Sequence, residues 1–201
     1  MQKDSILNII LVGIGLCTIC GAVISTVAVS LKDQQEQNVI FDQQSKIIDA
    51  ARLLEFYPSS IEALESIKEV IVDLNDGQPS DYPSDQYDLD TILRDSSQHK
   101  VLNGADDIAM ISVRENISKV FIEYRNNEFK TLILPVRGYG LWGTLYGYLA
   151  LDSDLNTIVG LEFYKHKETP GLGAEVDNPN WKKLWNGKKV YDENGLVQIE
   201  V

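Results

Sequence analysis

The sequence predicts an α+β fold class: one N-terminal transmembrane helix followed by a soluble domain of helices and an antiparallel-rich sheet. Three observations predict it. No charged residue occurs between Ser5 and Leu31. Apolar residues then recur at near-helical spacing through residues 36–56, and again after Ser59. From about residue 108 the pattern changes to short alternating runs separated by turn residues.

The uncharged run is 27 residues long and is bounded by Asp4 and Lys32. That exceeds the roughly 20 residues a helix needs to cross a bilayer. Ile6, Leu7, Ile9, Ile10, Leu11, Val12, Ile14 and Leu16 make it apolar on every side. Gly13, Gly15 and Gly21 are tolerated in a membrane helix, where small residues favour close packing against other helices. A cleaved signal peptide has an apolar core of only about 7–15 residues, so this run reads as an uncleaved anchor. The expected division is an anchor at residues 1–31, spanning about 6–31, and one soluble domain at residues 32–201. Lys3 and the terminal amine lie on one side of the span; Lys32, close to Asp33 and Glu36, lies on the other. The positive-inside rule gives a weak preference for the N-terminus in the cytoplasm, with the soluble domain outside the inner membrane, in the periplasm. Cys17 and Cys20 form a C-x-x-C inside the apolar run, without the βαβ setting of a redox motif. They read as small packing residues, with a cluster shared with another subunit as the alternative. The soluble part has no cysteine and therefore no internal disulfide.

Within residues 36–56, Ile40, Ile47, Ile48, Ala51 and Leu54 outline a helix that Pro58 interrupts. Ser59 and Glu62 then form a capping box. Ile61, Leu64, Ile67, Ile71 and Leu74 follow on one helical face, and Asn75-Asp76-Gly77 ends the helix. Residues 73–90 read as an acidic, turn-rich connection. They do not complete a calcium loop, because Gly77 takes a ligand position and no glutamate closes the ring.

Ile108–Val113 is a candidate strand. Val120, Ile122 and Tyr124 alternate before an Asn126-Asn127 turn. Phe129–Val136 forms the next strand, where Pro135 implies an edge or a strand end. Thr144–Leu151 and Thr157–Lys165 flank an Asp152-Ser153-Asp154 hairpin turn. Asn178-Pro179 caps a short helix carrying Trp181 and Trp185, closed by Gly187. Lys188–Tyr191 and Leu196–Val201 suggest a last hairpin around Asn194-Gly195.

The net charge of -12 argues against a nucleic-acid partner, which needs a basic face. His99, in a polar loop, and His166, between Lys165 and Lys167, read as solvated surface histidines that build neither a zinc site nor a triad. No G-x-S-x-G, Walker loop or dinucleotide fingerprint is present, and Gly138-Tyr139-Gly140 reads as a turn. A self-contained hydrolase or dehydrogenase thus lacks support. The unusual stretch is Glu168–Val176, which holds a proline, two glycines, a threonine and two carboxylates. Such a loop can be rigid and can let a flat ligand approach its backbone. On composition alone it is an ordinary tight turn.

Four motifs occur in order: Gly140-Leu141-Trp142-Gly143, Tyr146-Gly147, His166-Lys167-Glu168-Thr169-Pro170-Gly171-Leu172-Gly173, and Asn178-Pro179-Asn180-Trp181. With the anchor, they resemble the C subunit of the sodium-translocating NADH:quinone reductase, over essentially the whole chain. The E-T-P-G-L-G core is shared with the equivalent subunit of ferredoxin-linked electron-transfer complexes and with other FMN-binding domains. The resemblance implies an FMN-binding-type domain outside the bacterial inner membrane. It also implies partners among the other membrane and flavin subunits of a sodium-pumping complex that passes electrons from NADH to ubiquinone. In that family FMN is attached by a phosphoester to a threonine of an S-G-A-T-x-T motif. These 201 residues do not contain that motif, so a C-terminally shortened form is expected. Thr169 is not the attachment residue.

By the same resemblance, Glu168, Thr169, Gly171 and Leu172 would lie beside the flavin. Leu172 would cover a ring face, Trp142 would pack near the ring, and Lys188 would offset negative charge. The residues themselves leave Trp142 open as a core aromatic, Lys188 as a solvated charge and the glycines as turn residues. No side chain is expected to be catalytic and no metal is expected. The expected function is electron relay through FMN. The alternatives are the equivalent subunit of a ferredoxin:NAD complex and a flavin-free, membrane-anchored scaffold.

Overall fold

The computed structural model describes residues 6–199. The chain divides into two compact units, Met1–Asp42 and Gln43–Val201. Lys3, Asp4 and Ser5, used above for orientation and for the start of the uncharged run, lie outside the described residues, as do Glu200 and Val201.

The first unit holds most of helix α1 (Ile6–Ala50), which is long and apolar enough to cross a membrane. Its isoleucines, leucines and valines are exposed, as a lipid-facing surface requires. The hydroxyls of Thr18 and Thr26 donate to the carbonyls of Ile14 and Ala22 at 2.8 Å, so these polar groups are satisfied within the helix. Cys17 and Cys20 are free thiols on the exposed surface.

The sequence predicts a separate helix beginning near residue 36. Instead α1 continues unbroken, because no glycine or proline lies between Gly21 and Pro58. In the second unit its last residues, Ile47, Ile48 and Ala50, are buried. Arg52 then adopts a left-handed conformation (φ 53°) and a short 3-10 helix at Leu53–Glu55 buries Leu53. Helix α2 (Ser60–Glu65) starts at the predicted N-cap: the Glu62 N–H donates to Ser59 Oγ at 3.3 Å, while the Glu62 carboxylate, at 3.2 Å, accepts that hydroxyl in place of the backbone N–H of a full capping box.

The chain departs from expectation after Glu65. Residues predicted to continue the helix form strand β1 (Ile67–Asp73). Ile67, Val70, Ile71 and Val72 are β-branched, and their spacing suits either period. Pairing with a later strand decides it. Within the predicted 73–90 loop a further helix begins: α3 (Leu89–Arg94), capped by Asp88 Oδ1 accepting the Thr91 N–H at 2.7 Å. His99 lies in a short strand, β2 (His99–Val101), which pairs with β3 (Val113–Glu115). The strand predicted at 108–113 does not form, since Met110 and Ser112 take positive φ. The Asp107 carboxylate accepts the N–H groups of Ile111 and Ser112 and makes this a turn.

The main sheet is antiparallel throughout, in the order β1-β4-β5-β6-β7. Its later strands are β4 (Ile117–Arg125), β5 (Glu128–Tyr139), β6 (Thr144–Asp152) and β7 (Ile158–Lys165). Asn126 and Asn127 make the predicted turn, both at positive φ. β5 is an inner strand, but Pro135 stands at a local edge of it: it pairs with Tyr148 of β6 on one side and lies past the last β4 pair on the other. It is tolerated because the β4 ladder ends at Ile133, so no β4 partner awaits its missing N–H.

One sheet face carries the core of Phe121, Ile133, Tyr148 and Ala150, packed by Ile47, Ile48, Ala50, Ala51, Leu53 and Ala63. Gly160 of β7 is needed here, because a Cβ would collide with the Ala50 carbonyl. Lys46 and Lys182 both pair with Glu162, at 3.3 and 2.6 Å, joining α1, β7 and α4 (Pro179–Lys182). Trp181 lies on α4, as predicted, but Trp185 lies on the following 3-10 helix, Lys183–Trp185. Among the described residues the last hairpin reduces to isolated bridges, Thr157–Lys189 and Tyr191–Val197.

Candidate functional site

Two loops meet at one end of the sheet. The first is the Gly140–Gly143 turn between β5 and β6, closed by the Gly140 N–H donating to the Gly143 carbonyl at 2.8 Å. The second follows β7 and contains Glu168–Gly173.

Glu168 joins them. It is only 8% exposed, and its Oε1 accepts the Trp142 N–H at 3.0 Å. The carboxylate lies between two glycines: a Cβ on Gly140 would run into Oε1, and a Cβ on Gly173 into Oε2. The glycines therefore make the slot that admits the side chain. The Lys167 side chain lies over Gly143 and adds a second contact between the loops. Glu168 is thus turned into the protein, as a brace beneath the surface.

What the brace presents is apolar and exposed. Trp142 is 63% exposed and Leu172 is 71% exposed, one on each of the two loops that the carboxylate joins. The Leu172 loop is rigid by its own bonds: the N–H groups of Leu172 and Ala174 both donate to the Thr169 carbonyl, at 3.1 and 3.2 Å. Gly171 takes φ +76°, which a side chain would strain, and nothing lies within 4 Å of where its Cβ would be. Among the described residues, the backbone N–H groups of Thr169 and Gly171 have no protein acceptor and remain available to a ligand.

Five of the six residues singled out from the sequence are therefore brought together: Trp142, Glu168, Thr169, Gly171 and Leu172. Lys188 is not among them. Its carbonyl accepts the N–H of Ile158, at the start of β7, whereas Glu168 follows the end of that strand. About eight strand residues, on the order of 25 Å of backbone, separate the two ends.

Sequence reasoning missed His166. It is not a solvated histidine: its side chain is 17% exposed and both ring nitrogens are bonded. Nδ1 accepts the Glu168 N–H at 3.2 Å, and Nε2 lies 2.7 Å from Asp177 Oδ2. The flanking lysines masked it, and no local pattern announces a partner eleven residues away.

Alongside this end runs an apolar groove of about 350 Å³. Tyr139, Leu145, Leu161, Phe163, Trp181 and Trp185 line it. The rings of Trp181 and Trp185 meet edge-to-face at 5.5 Å. The Trp185 Nε1–H is buried and has no hydrogen-bond partner. Among the described residues no group of three histidine, cysteine, aspartate or glutamate side chains is placed to hold a metal ion.

The FMN-binding domain family matches residues 140–199, a range that holds both loops and both groove tryptophans. The chain is 41% identical to the C subunit of the Na(+)-translocating NADH-quinone reductase of Pseudomonas aeruginosa, with all of this chain aligned to 78% of that protein. It is 37% identical to the protein of the same name from Vibrio vulnificus, with all of this chain aligned to 79% of it. The fold resembles the crystal structure of Shewanella oneidensis NqrC, with a TM-score of 0.71 at 30% identity, over 79% of this chain and 74% of that one.

Proposed function

Because the chain belongs to the family of Na(+)-translocating NADH-quinone reductase C subunits, we propose that it is the flavin-carrying relay of such a complex, with FMN seated on the Trp142–Leu172 surface. The observation that carries this reading is the Glu168 brace, which holds two exposed apolar side chains and two free backbone N–H groups in one fixed arrangement.

The residues present fit a flavin. Leu172 and Trp142 offer apolar surface to a flat ring, and the open space at Gly171 lets it come close to the backbone. The N–H groups of Thr169 and Gly171 are placed to donate to ring or tail oxygen and nitrogen atoms. Glu168 supports the loop from below rather than touching the ring. The Trp185 N–H offers a further donor beside the groove. Lys188, at the other end of β7, has no direct part. When bound, FMN would supply the capacity to accept and pass on electrons. The protein's part is to hold the ring, exclude water from one side and set which redox form is favoured.

In the family FMN is fastened by a phosphoester to a threonine of an S-G-A-T-x-T motif, which these 201 residues do not contain; in this reading the two loops form the non-covalent cradle. Residues 1–31 anchor the protein, residues 32–201 belong to a domain outside the inner membrane, and the other subunits of the complex carry NADH oxidation, quinone reduction and sodium transport.

The test is to purify the membrane complex with Trp142→Ala and Leu172→Ala in this chain. The expected result is an assembled complex in which the flavin of this chain is lost or its visible spectrum shifts. Unchanged flavin content and spectrum in both variants would refute the cradle. Normal assembly and flavin content after deleting residues 168–173 would favour a scaffold. Co-purification with a ferredoxin-linked enzyme would reassign the complex.

A further inference from the structure

We propose that His166 and Asp177 form a positioning pair for the Glu168–Leu172 loop, acting through the imidazole tautomer that is protonated at Nε2. The proposal rests on the flavin reading of that loop, but its first test does not require flavin. The loop leaves the sheet at Lys165 and returns through the 3-10 helix Gly173–Asp177. His166 stands at its start and Asp177 at its end. A backbone N–H can only donate, so the Glu168 N–H makes Nδ1 an acceptor. The ring proton must then sit on Nε2, where it donates to Asp177 at 2.7 Å. One ring thus ties the two ends of the loop and holds the backbone of the residue whose carboxylate braces Trp142. Asn178 extends the closure: its side chain donates to Glu175 Oε2 at 2.7 Å, and its Oδ1 accepts the Asn180 N–H. The ring's bonded partners are the Glu168 N–H and the Asp177 carboxylate, while the Lys165 ammonium lies over the Tyr146 ring and the Lys167 side chain over Gly143. None of them can replace the paired acceptor and donor that a neutral imidazole provides.

Two conservative variants separate the two bonds. Asparagine places Oδ1 where Nδ1 was and can accept the N–H two residues on, but it cannot reach Asp177. Glutamine places an N–H donor where Nε2 was, but offers no acceptor to Glu168.

The experiment is amide hydrogen exchange and ¹⁵N-imidazole spectroscopy on the full chain in detergent, followed by visible spectra of the assembled complex. The unsubstituted protein should show the Nε2–H tautomer. Exchange at the Glu168 amide should rise about tenfold or more in His166→Ala and His166→Gln and stay within about twofold in His166→Asn. An Nδ1–H tautomer, or unchanged Glu168 exchange in His166→Gln, would overturn the proposal. If His166→Ala fails to fold, the tautomer and the Asn and Gln variants still decide the question. A changed Glu168 exchange with an unchanged flavin spectrum would support the positioning pair and count against the flavin reading of the loop.

Discussion

The two ends of strand β7 carry two loops that are organised by the same chemistry over different distances. At its start, Asp154 accepts the N–H groups of Asn156 and Thr157 and the Thr157 hydroxyl, so every partner lies within three residues. At its end, Glu168 reaches across 26 residues of chain to the Trp142 N–H and is buried in doing so. The first carboxylate shapes its own turn and stays in water. The second fixes one loop against another, and those two loops carry the exposed Trp142 and Leu172. A local cap makes a strand connection; a non-local, buried one locks two distant loops together.

The comparison should break first at Glu168. Glu168→Ala removes a charge-assisted bond and leaves the Trp142 N–H without its acceptor, which should cost about 2–3 kcal/mol. Thermal unfolding of the full chain in detergent would check it. A loss no larger than that caused by removing Asp154 would erase the distinction between the two loops. Next in size is Gly173→Ala, whose Cβ would enter the space of the Glu168 carboxylate. Overpacking there should cost about 1–3 kcal/mol and, unlike an ordinary surface change, should also perturb the Trp142 amide resonance.

The smallest effect belongs to Asp154. Its hydrogen bonds from Thr157 and Asn156 hold its carboxyl down at about 2, against an ordinary 3.8. A depressed folded pKa means that its contribution is complete above the unfolded value and fades as the pH falls from about 3.8 through 2. Because the group is exposed, Asp154→Asn should cost about 1 kcal/mol or less at neutral pH. It should also flatten the stability profile between about pH 4 and 2. A carboxyl that titrates near its ordinary value by NMR would contradict this turn's geometry.

The same distinction explains what could be read from the sequence. The N-cap at Ser59, the Asn126-Asn127 turn, the Asp154 hairpin and the Asn178 cap all use partners within a few residues, and each formed where predicted. Helix α3 was missed although its signal is of this kind, with Asp88 just before Leu89. The errors lie where distant pairing decides. Ile67–Asp73 fits a helical face until β4 supplies a partner strand. Pro135 does stand at an open side of β5, but only the end of the β4 ladder at Ile133 shows that this edge lies within an inner strand. The motif loops were legible by resemblance, but the direction of Glu168 was not: glycines at 140 and 173 reveal a slot only when the fold brings them to either side of it. Lys188 was grouped with the site because sequence order does not tell which end of β7 a returning chain meets.

The link between Lys46 and Glu162 spans 116 residues and bears on how the protein is made. At about 5–20 residues per second, a ribosome needs on the order of ten seconds to add that length. The apolar span before Lys32 is synthesised early. Ile47, Ile48 and Leu53 share their core with Phe121, Ile133, Tyr148 and Ala150, so their burial waits for strands β4 to β6. Ala50 waits longest, because its carbonyl packs against Gly160 of β7, and chaperones and proteases meet this stretch of nascent chain throughout that interval.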